Sequence, residues 1–158
     1  MMTIAMGGLA ILALCGRADS FYGLIYNASG SVPMGWYVAN GRAAPRRGML
    51  MLVALPGPWR KWAAQRGYLP LNVMALKHIS AGPGDTVCGR GDRVFLNGRL
   101  AALRFKRDSS GRPMPRWSGC ITLDKRHWFL LNPAPSSLDS RYFGPVLGTA
   151  MQARAVPL

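Results

Sequence analysis

Glycine and proline divide this chain into short apolar runs, and this division is what most limits the folds open to it. There are 19 glycines and 12 prolines, and turn residues follow each β-compatible run. The runs are Phe21–Tyr26, Trp36–Val38, Met49–Leu55, Met74–Ile79, His127–Leu131 and Val146–Val156. Many short strands with frequent turns predict a mainly β, antiparallel domain with one or two short helices.

Two of these segments carry a more specific prediction. Trp36–Val38 and Met49–Leu55 flank a basic turn, which favours pairing between them. Residues 92–103 contain an Asn97-Gly98 pair, which fits the type I′ turn of a hairpin.

One short helix is predicted, over Trp59–Gln65. Pro58 lies near its start and Gly67 at its exit, where these residue types are favoured. A polar loop rich in glycine and proline is predicted over residues 104–119.

The charge of the chain is strongly positive. Twenty Lys and Arg stand against six acidic residues, all of them Asp, which gives a net charge of +14 over 158 residues. Such a surplus favours anionic surroundings, but it is equally expected of a solvated basic surface. The basic residues are scattered rather than gathered on one helix, which argues against a dedicated DNA reader.

The N-terminal residues form one apolar run, Met1–Cys15, which is shorter than the roughly 20 residues of a usual spanning helix. No positive charge precedes it, and Arg17 follows it, the reverse of an export signal. We interpret residues 1–20 as an anchor or signal-like segment and residues 21–158 as a single globular domain. A buried N-terminal helix is the alternative.

Cysteine placement leaves two interpretations. Cys88 and Cys120 lie in the polar body of the chain, where they form either a disulfide or two independent buried thiols. A zinc site is not predicted, because neither belongs to a CxxC pair and only His78 and His127 are available beside them.

Lys77 is a lone ammonium inside the apolar run that ends in a Gly-Pro-Gly-Asp turn. Burial among apolar groups lowers the pKa of lysine, and only a neutral lysine accepts a hydroxyl proton. With the hydroxyls and glycines of residues 27–37, this placement predicts a serine nucleophile and a lysine base. The alternative is a lysine on the edge of the strand, pointing into water.

Three segments in this order resemble the boxes of the type I signal peptidase family. They are SGSVPMG at residues 29–35, LKHISAGPGD at residues 76–85 and SLDSRYFGP at residues 137–145. The resemblance runs from about residue 27 to the C-terminus and is strongest to the plasmid-transfer branch, the TraF-type peptidases that mature pilin subunits.

The resemblance implies that Ser31 is the nucleophile and Lys77 the general base. Ser29 would contribute its hydroxyl to an oxyanion hole that the backbone N–H of Ser31 completes. The alternatives are an ordinary turn residue at position 31 and a plain loop hydroxyl at position 29.

Three further roles follow from the third box. Ser137 would orient the lysine amine, and Asp139 and Arg141 would form a supporting ion pair. The alternatives are a helix or turn cap for Ser137 and a surface pair for the other two. A Ser-His-Asp triad with His78 or His127 is not needed if Lys77 is the base.

The chain departs from the family pattern at two places. His78 stands where the family usually has Arg directly after the base lysine, and the positively charged anchor is missing. The histidine is expected to point away from the base, whereas the missing charge leaves the topology open.

The function implied is that of a serine endopeptidase in the inner membrane, with its catalytic domain on the periplasmic face. It would cut an exported or pilin precursor after small residues, with cyclisation as an alternative outcome, and would need no cofactor. The expected partners are the precursor and membrane lipid, with no specific nucleic acid. The competing hypotheses are a non-catalytic assembly protein of a transfer or secretion apparatus, a nucleic-acid-binding protein and a self-cleaving Ser-Lys repressor.

Overall fold

A computed structural model describes residues 22–41 and 43–158, in which antiparallel strands predominate. The predicted N-terminal segment, residues 1–20, lies outside the described residues. Within the described ranges, none of the helices combines the length and apolar character needed to cross a membrane.

The described part of the chain contains eleven strands, two α-helices and one short 3-10 helix. In chain order they are β1 (Tyr22–Asn27), β2 (Gly35–Asn40), β3 (Leu50–Val53), α1 (Gly57–Gln65), β4 (Ala75–Ala81), β5 (Thr86–Arg90), β6 (Arg93–Leu96), β7 (Arg99–Leu103), β8 (Gly119–Thr122), β9 (His127–Leu130), α2 (Ser140–Phe143), β10 (Val146–Leu147), the 3-10 helix (Gly148–Ala150) and β11 (Met151–Pro157). The mainly β, antiparallel prediction is confirmed.

The strands form two sheets. The larger sheet has the order β1-β2-β11-β3-β4-β9-β10, and the smaller has the order β7-β6-β5-β8. The predicted pairing of the second and third apolar runs is wrong, because β11 lies between β2 and β3 and pairs with both. Small buried side chains, Ala153 and Ala155, place the last strand there, a long-range contact that local sequence does not reveal.

The predictions of local structure agree better with the observed fold than the predicted strand pairing does. The hairpin over β6 and β7 is confirmed, and both Asn97 and Gly98 have positive φ, as a type I′ turn requires. Helix α1 is confirmed, with Pro58 in its first turn. Strand β8 was not predicted, because all four of its residues are exposed and it carries no apolar alternation.

Both faces of the larger sheet are covered, and this determines the surroundings of β4. Leu76 packs into one apolar cluster with Leu52 and Tyr37. Ile79, on the other face of the same strand, packs into a second cluster with Met51. The side chain of Lys77, which shares a face of β4 with Ile79, therefore has little access to water.

The smaller sheet is crossed by a disulfide. Cys88 on β5 and Cys120 on β8 are directly opposite each other, with their Cα atoms 4.1 Å apart, and their sulfur atoms are bonded. Of the two interpretations of these cysteines, the structure contains the disulfide.

We predict that the double substitution of Cys88→Ser and Cys120→Ser lowers the free energy of unfolding by about 3 to 4 kcal/mol. The disulfide closes a loop with a sequence separation of 32, and its loss frees the unfolded chain. Urea unfolding of the oxidised protein and the variant measures the difference, and peptide mapping without reductant should recover the linked cysteines. Two free thiols in protein from the native compartment would contradict the assignment.

Candidate active site

Two buried side chains hold the loop between β1 and β2. The hydroxyl of Tyr37 donates to the carbonyl oxygen of Pro33 at 2.7 Å, and the side chain of Asn27, which is 8% exposed, makes the larger number of contacts. Its Nδ2 donates to the carbonyl oxygens of Ser29, Val32 and Pro33 at 2.9 to 3.0 Å. Its Oδ1 accepts from the backbone N–H of Ser29 at 3.1 Å and from the Ser29 hydroxyl at 2.8 Å. The loop that carries the predicted nucleophile is therefore fixed from within.

The two serine hydroxyls of this loop form a pair. Ser29 Oγ and Ser31 Oγ are 3.0 Å apart. An amide oxygen can only accept, so the single hydroxyl proton of Ser29 goes to Asn27 Oδ1. Ser31 is consequently the donor to Ser29.

Lys77 lies on β4 and is buried, with 5% of its surface exposed. Its Nζ donates to Ser137 Oγ at 3.0 Å. Burial lowers the pKa of Lys77 to about 8, an effect that nearby Asp139 opposes and Arg141 reinforces. The alternative of a lysine on the strand edge in contact with water is wrong.

Asp139 and Arg141 form a two-point ion pair inside the protein. The guanidinium Nε lies 2.8 Å from Oδ1 and its Nη2 lies 3.0 Å from Oδ2, and the two residues are 0% and 2% exposed. A surface pair is therefore excluded. Asp139 also caps α2 by accepting from the backbone N–H of Arg141.

The same guanidinium fixes the segment that leads to Ser137. Arg141 donates to the carbonyl oxygens of Asn132 and Pro135, at 2.8 and 2.9 Å. Because Ser137 follows within this segment, the ion pair and the partner of the lysine amine are positioned together.

Asn132 was missed by the sequence analysis. Its side chain donates to the carbonyl oxygen of Leu76 and accepts from the backbone N–H of His78, both at 3.0 Å, so it pairs with the strand on either side of Lys77. Its own backbone N–H donates to Asp139. An Asn directly after an apolar strand was the only available signal.

His78 is directed to the same amide. Its Nδ1 lies 3.2 Å from Asn132 Oδ1. His127 pairs instead with Asp124, at 2.7 Å, and neither histidine lines the cleft that contains Ser31 and Lys77. The positions of these two histidines give no support to a Ser-His-Asp triad.

Ser31 and Lys77 border one cleft of about 890 Å³. In the structure Lys77 is hydrogen-bonded to Ser137, and Ser31 is hydrogen-bonded to Ser29. The two predicted catalytic groups therefore face the same cleft without a hydrogen bond between them. Much of the cleft wall is apolar and comes from Ile25, Leu55, Val73, Met74, Leu76 and Leu138. Among the described residues, no cluster of three or more potential metal ligands occurs.

Comparison with known proteins places this chain in a family. The model of the family described as signal peptidase, peptidase S26, matches residues 1–157. Two plasmid transfer proteins TraF from Escherichia coli are 31% and 30% identical, each match covering 90% of this chain and 86% and 85% of the relative. The conjugal transfer protein TraF of Agrobacterium fabrum is 28% identical over 98% of this chain and 89% of its own length.

A solved structure is also similar. The signal peptidase I of Enterococcus faecalis V583 is 20% identical to this chain, with a TM-score of 0.40. The match covers 71% of this chain and 97% of the solved one.

We predict that Lys77→Met stabilises the protein at pH 7 and that this advantage shrinks at pH 10. The pKa of Lys77 is lower in the folded state, about 8, than its ordinary value of 10.5. Below pH 8 the buried charge is a constant cost to the folded state. Between these two values the unfolded state binds more protons, so stability rises with pH and the cost disappears.

The advantage of the variant should be smaller by about 2 kcal/mol at pH 10 than at pH 7. Urea unfolding at both pH values measures it. Lys61→Met removes an exposed lysine on α1 and controls for general effects of pH. An equal advantage at both pH values would show that Lys77 carries no burial cost.

Proposed function

We propose that this chain, which belongs to the S26 signal peptidase family, is a membrane-associated serine endopeptidase that uses Ser31 and Lys77 to cut a precursor protein. One observation carries the proposal: a serine hydroxyl and a buried lysine of lowered pKa border the same cleft. A lysine that loses its proton near pH 8 is a competent general base, whereas an ordinary lysine is not.

The proposed reaction begins with a neutral Lys77. Its Nζ removes the hydroxyl proton of Ser31 as Oγ attacks the scissile carbonyl carbon, and the resulting ammonium then protonates the departing amine. Ser137, which accepts a hydrogen bond from Nζ, keeps the amine oriented. The Ser31 side chain must first turn from Ser29 toward Lys77. In this proposal the substrate triggers the rotation when it binds and displaces water from the cleft.

The oxyanion would be stabilised by the Ser31 backbone N–H and the Ser29 hydroxyl. Each such donor is worth about 3 kcal/mol in the transition state. In the resting structure Ser29 donates to Asn27, so its hydroxyl rotates to the oxyanion as charge develops.

The substrate is proposed to bind as an extended strand. Among the described strands, β1 lies at one edge of the larger sheet, and residues 25–27 at its end line the cleft. A peptide added to that edge would place its side chains against the apolar walls. Cleavage after small residues is the specificity that the family resemblance implies.

An exposed apolar surface beside the nucleophile loop supports membrane association. Leu24, Tyr26, Met34 and Trp36 are 60%, 57%, 69% and 51% exposed, and the rings of the two aromatic residues pack at 5.1 Å. Tyrosine and tryptophan favour the membrane interface. With the disulfide, which forms in oxidising compartments, this surface supports a position at the inner membrane with the catalytic domain in the periplasm.

The relatives named for plasmid and conjugal transfer suggest the class of substrate. We propose that the precursor is a pilin or another exported protein of a conjugative apparatus. Because the acyl-enzyme can be attacked by water or by an amine of the substrate, hydrolysis and cyclisation are both chemically open to this site.

We predict that Ser31→Ala and Lys77→Ala each abolish processing of a co-expressed pilin precursor. The first removes the nucleophile and the second the base, and the folded state should persist in both. Mass spectrometry of the pilin measures processing and distinguishes a linear product from a cyclic one, which is lighter by one water. His127→Ala, remote from the cleft, is the control. Processing that survives either active-site substitution would refute the assignment.

We predict that kcat/KM rises with pH through about 8 and reaches a plateau above pH 9. Only the neutral lysine is the base, and the pKa of Lys77 is about 8, so roughly one tenth of the enzyme is competent at pH 7. Initial rates on a peptide substrate between pH 6 and 9.5 measure the profile. A rate that is flat or falls over this range would contradict a lysine base.

A further inference from the structure

The orientation of the Asn27 amide is set by its surroundings. Nδ2 faces three carbonyl oxygens, which only a donor can satisfy, and Oδ1 faces the backbone N–H of Ser29. Reversing the amide would oppose oxygen to oxygen three times and N–H to N–H once. The oxygen is therefore fixed at the position that receives the Ser29 hydroxyl.

This arrangement determines two further proton positions. The Ser29 O–H is committed to Asn27, so the lone pairs of Ser29 Oγ face Ser31, whose O–H they accept. Removing Asn27 would leave the exposed Ser29 hydroxyl free to rotate in water. Asn27 thus sets the direction of the Ser29 hydroxyl, and through it the direction of the Ser31 hydroxyl.

We propose that Asn27 is a positioning residue that acts on catalysis through Ser29. This inference rests on the proposed function. Asn27 holds Ser29 by its backbone N–H as well as by its hydroxyl, so Oγ keeps its place when its proton swings from Asn27 Oδ1 to the developing oxyanion. To reach the oxyanion in the transition state, the Ser29 hydroxyl then needs only to rotate about its Cβ–Oγ bond, while Oγ itself stays in place.

A merely structural role for Asn27 makes a different prediction. If the residue only supports the loop through the carbonyls of Ser29, Val32 and Pro33, its loss should have the same effect whether or not residue 29 has a hydroxyl. A double-substitution cycle of Asn27→Ala and Ser29→Ala separates the two possibilities.

The experiment measures kcat and KM of the wild type, both single variants and the double variant on one peptide substrate. Ser29→Ala should lower kcat about 100-fold, as loss of an oxyanion donor does. Asn27→Ala should lower kcat about 10- to 100-fold, with KM changed less than about threefold. In the Ser29→Ala background, Asn27→Ala should cost less than about a further threefold.

The matched control is Asn40→Ala, an exposed asparagine at the end of the adjacent strand β2, which should leave both constants unchanged. An equal loss of kcat from Asn27→Ala in both backgrounds overturns the proposal, as does a loss confined to KM. If Asn27→Ala does not fold, Ser29→Ala, which keeps the three bonds to the carbonyls, can still overturn the proposal: wild-type kcat in this variant would leave Asn27 no hydroxyl to orient.

Ser31→Ala distinguishes failure of this inference from failure of the proposed function. Activity that survives in Ser31→Ala removes the enzyme assignment and the inference with it. An inactive Ser31→Ala together with a fully active Asn27→Ala overturns the role of Asn27 alone.

Discussion

The burial of one ammonium group, that of Lys77, is the constraint on which the rest of the structure depends. Its pKa of about 8 corresponds to a cost of about 3 kcal/mol when the charged form is folded into the protein. Among the described residues, Nζ has one hydrogen-bond partner, the neutral Ser137, and the carboxylate of Asp139 is paired with Arg141. A carboxylate free to pair with Lys77 would raise the pKa of the amine.

The polar groups around Lys77 form one connected network rather than a set of independent contacts. Asn132 pairs with the backbone on both sides of Lys77, and its own backbone is held by Asp139 and Arg141. The loop between β7 and β8 supports the network from behind, because Trp117 donates to the carbonyl oxygen of Ser140. Nearby, the backbone N–H of Phe105 donates to the Tyr142 hydroxyl. This loop therefore braces the helix turn that carries the ion pair.

The polar residues that face the cleft form two hydrogen-bonded halves, and the separation of these halves bears on the proposed reaction. One half is Asn27 with Ser29 and Ser31, and the other is Lys77 with Ser137. When no peptide is bound, the polar groups of each half form hydrogen bonds within that half and not across the cleft. The proposed reaction exchanges these internal bonds for bonds to the substrate, which ties proton transfer to occupancy of the cleft.

The sequence by itself determined the local features of this protein. Alternation and turn residues predicted the hairpin at Asn97-Gly98 and helix α1, because both depend on backbone preferences of neighbouring residues. The order of the three boxes also identified the family. Tertiary structure alone decided the insertion of β11 between β2 and β3, the burial of Lys77 and the hydrogen bonds of Asn27 and Asn132. The physical reason is that burial, pKa and long-range hydrogen bonds depend on what packs across the sheet. Residues 56 positions apart in the chain, such as Leu76 and Asn132, leave no periodic trace of their hydrogen bond in the sequence.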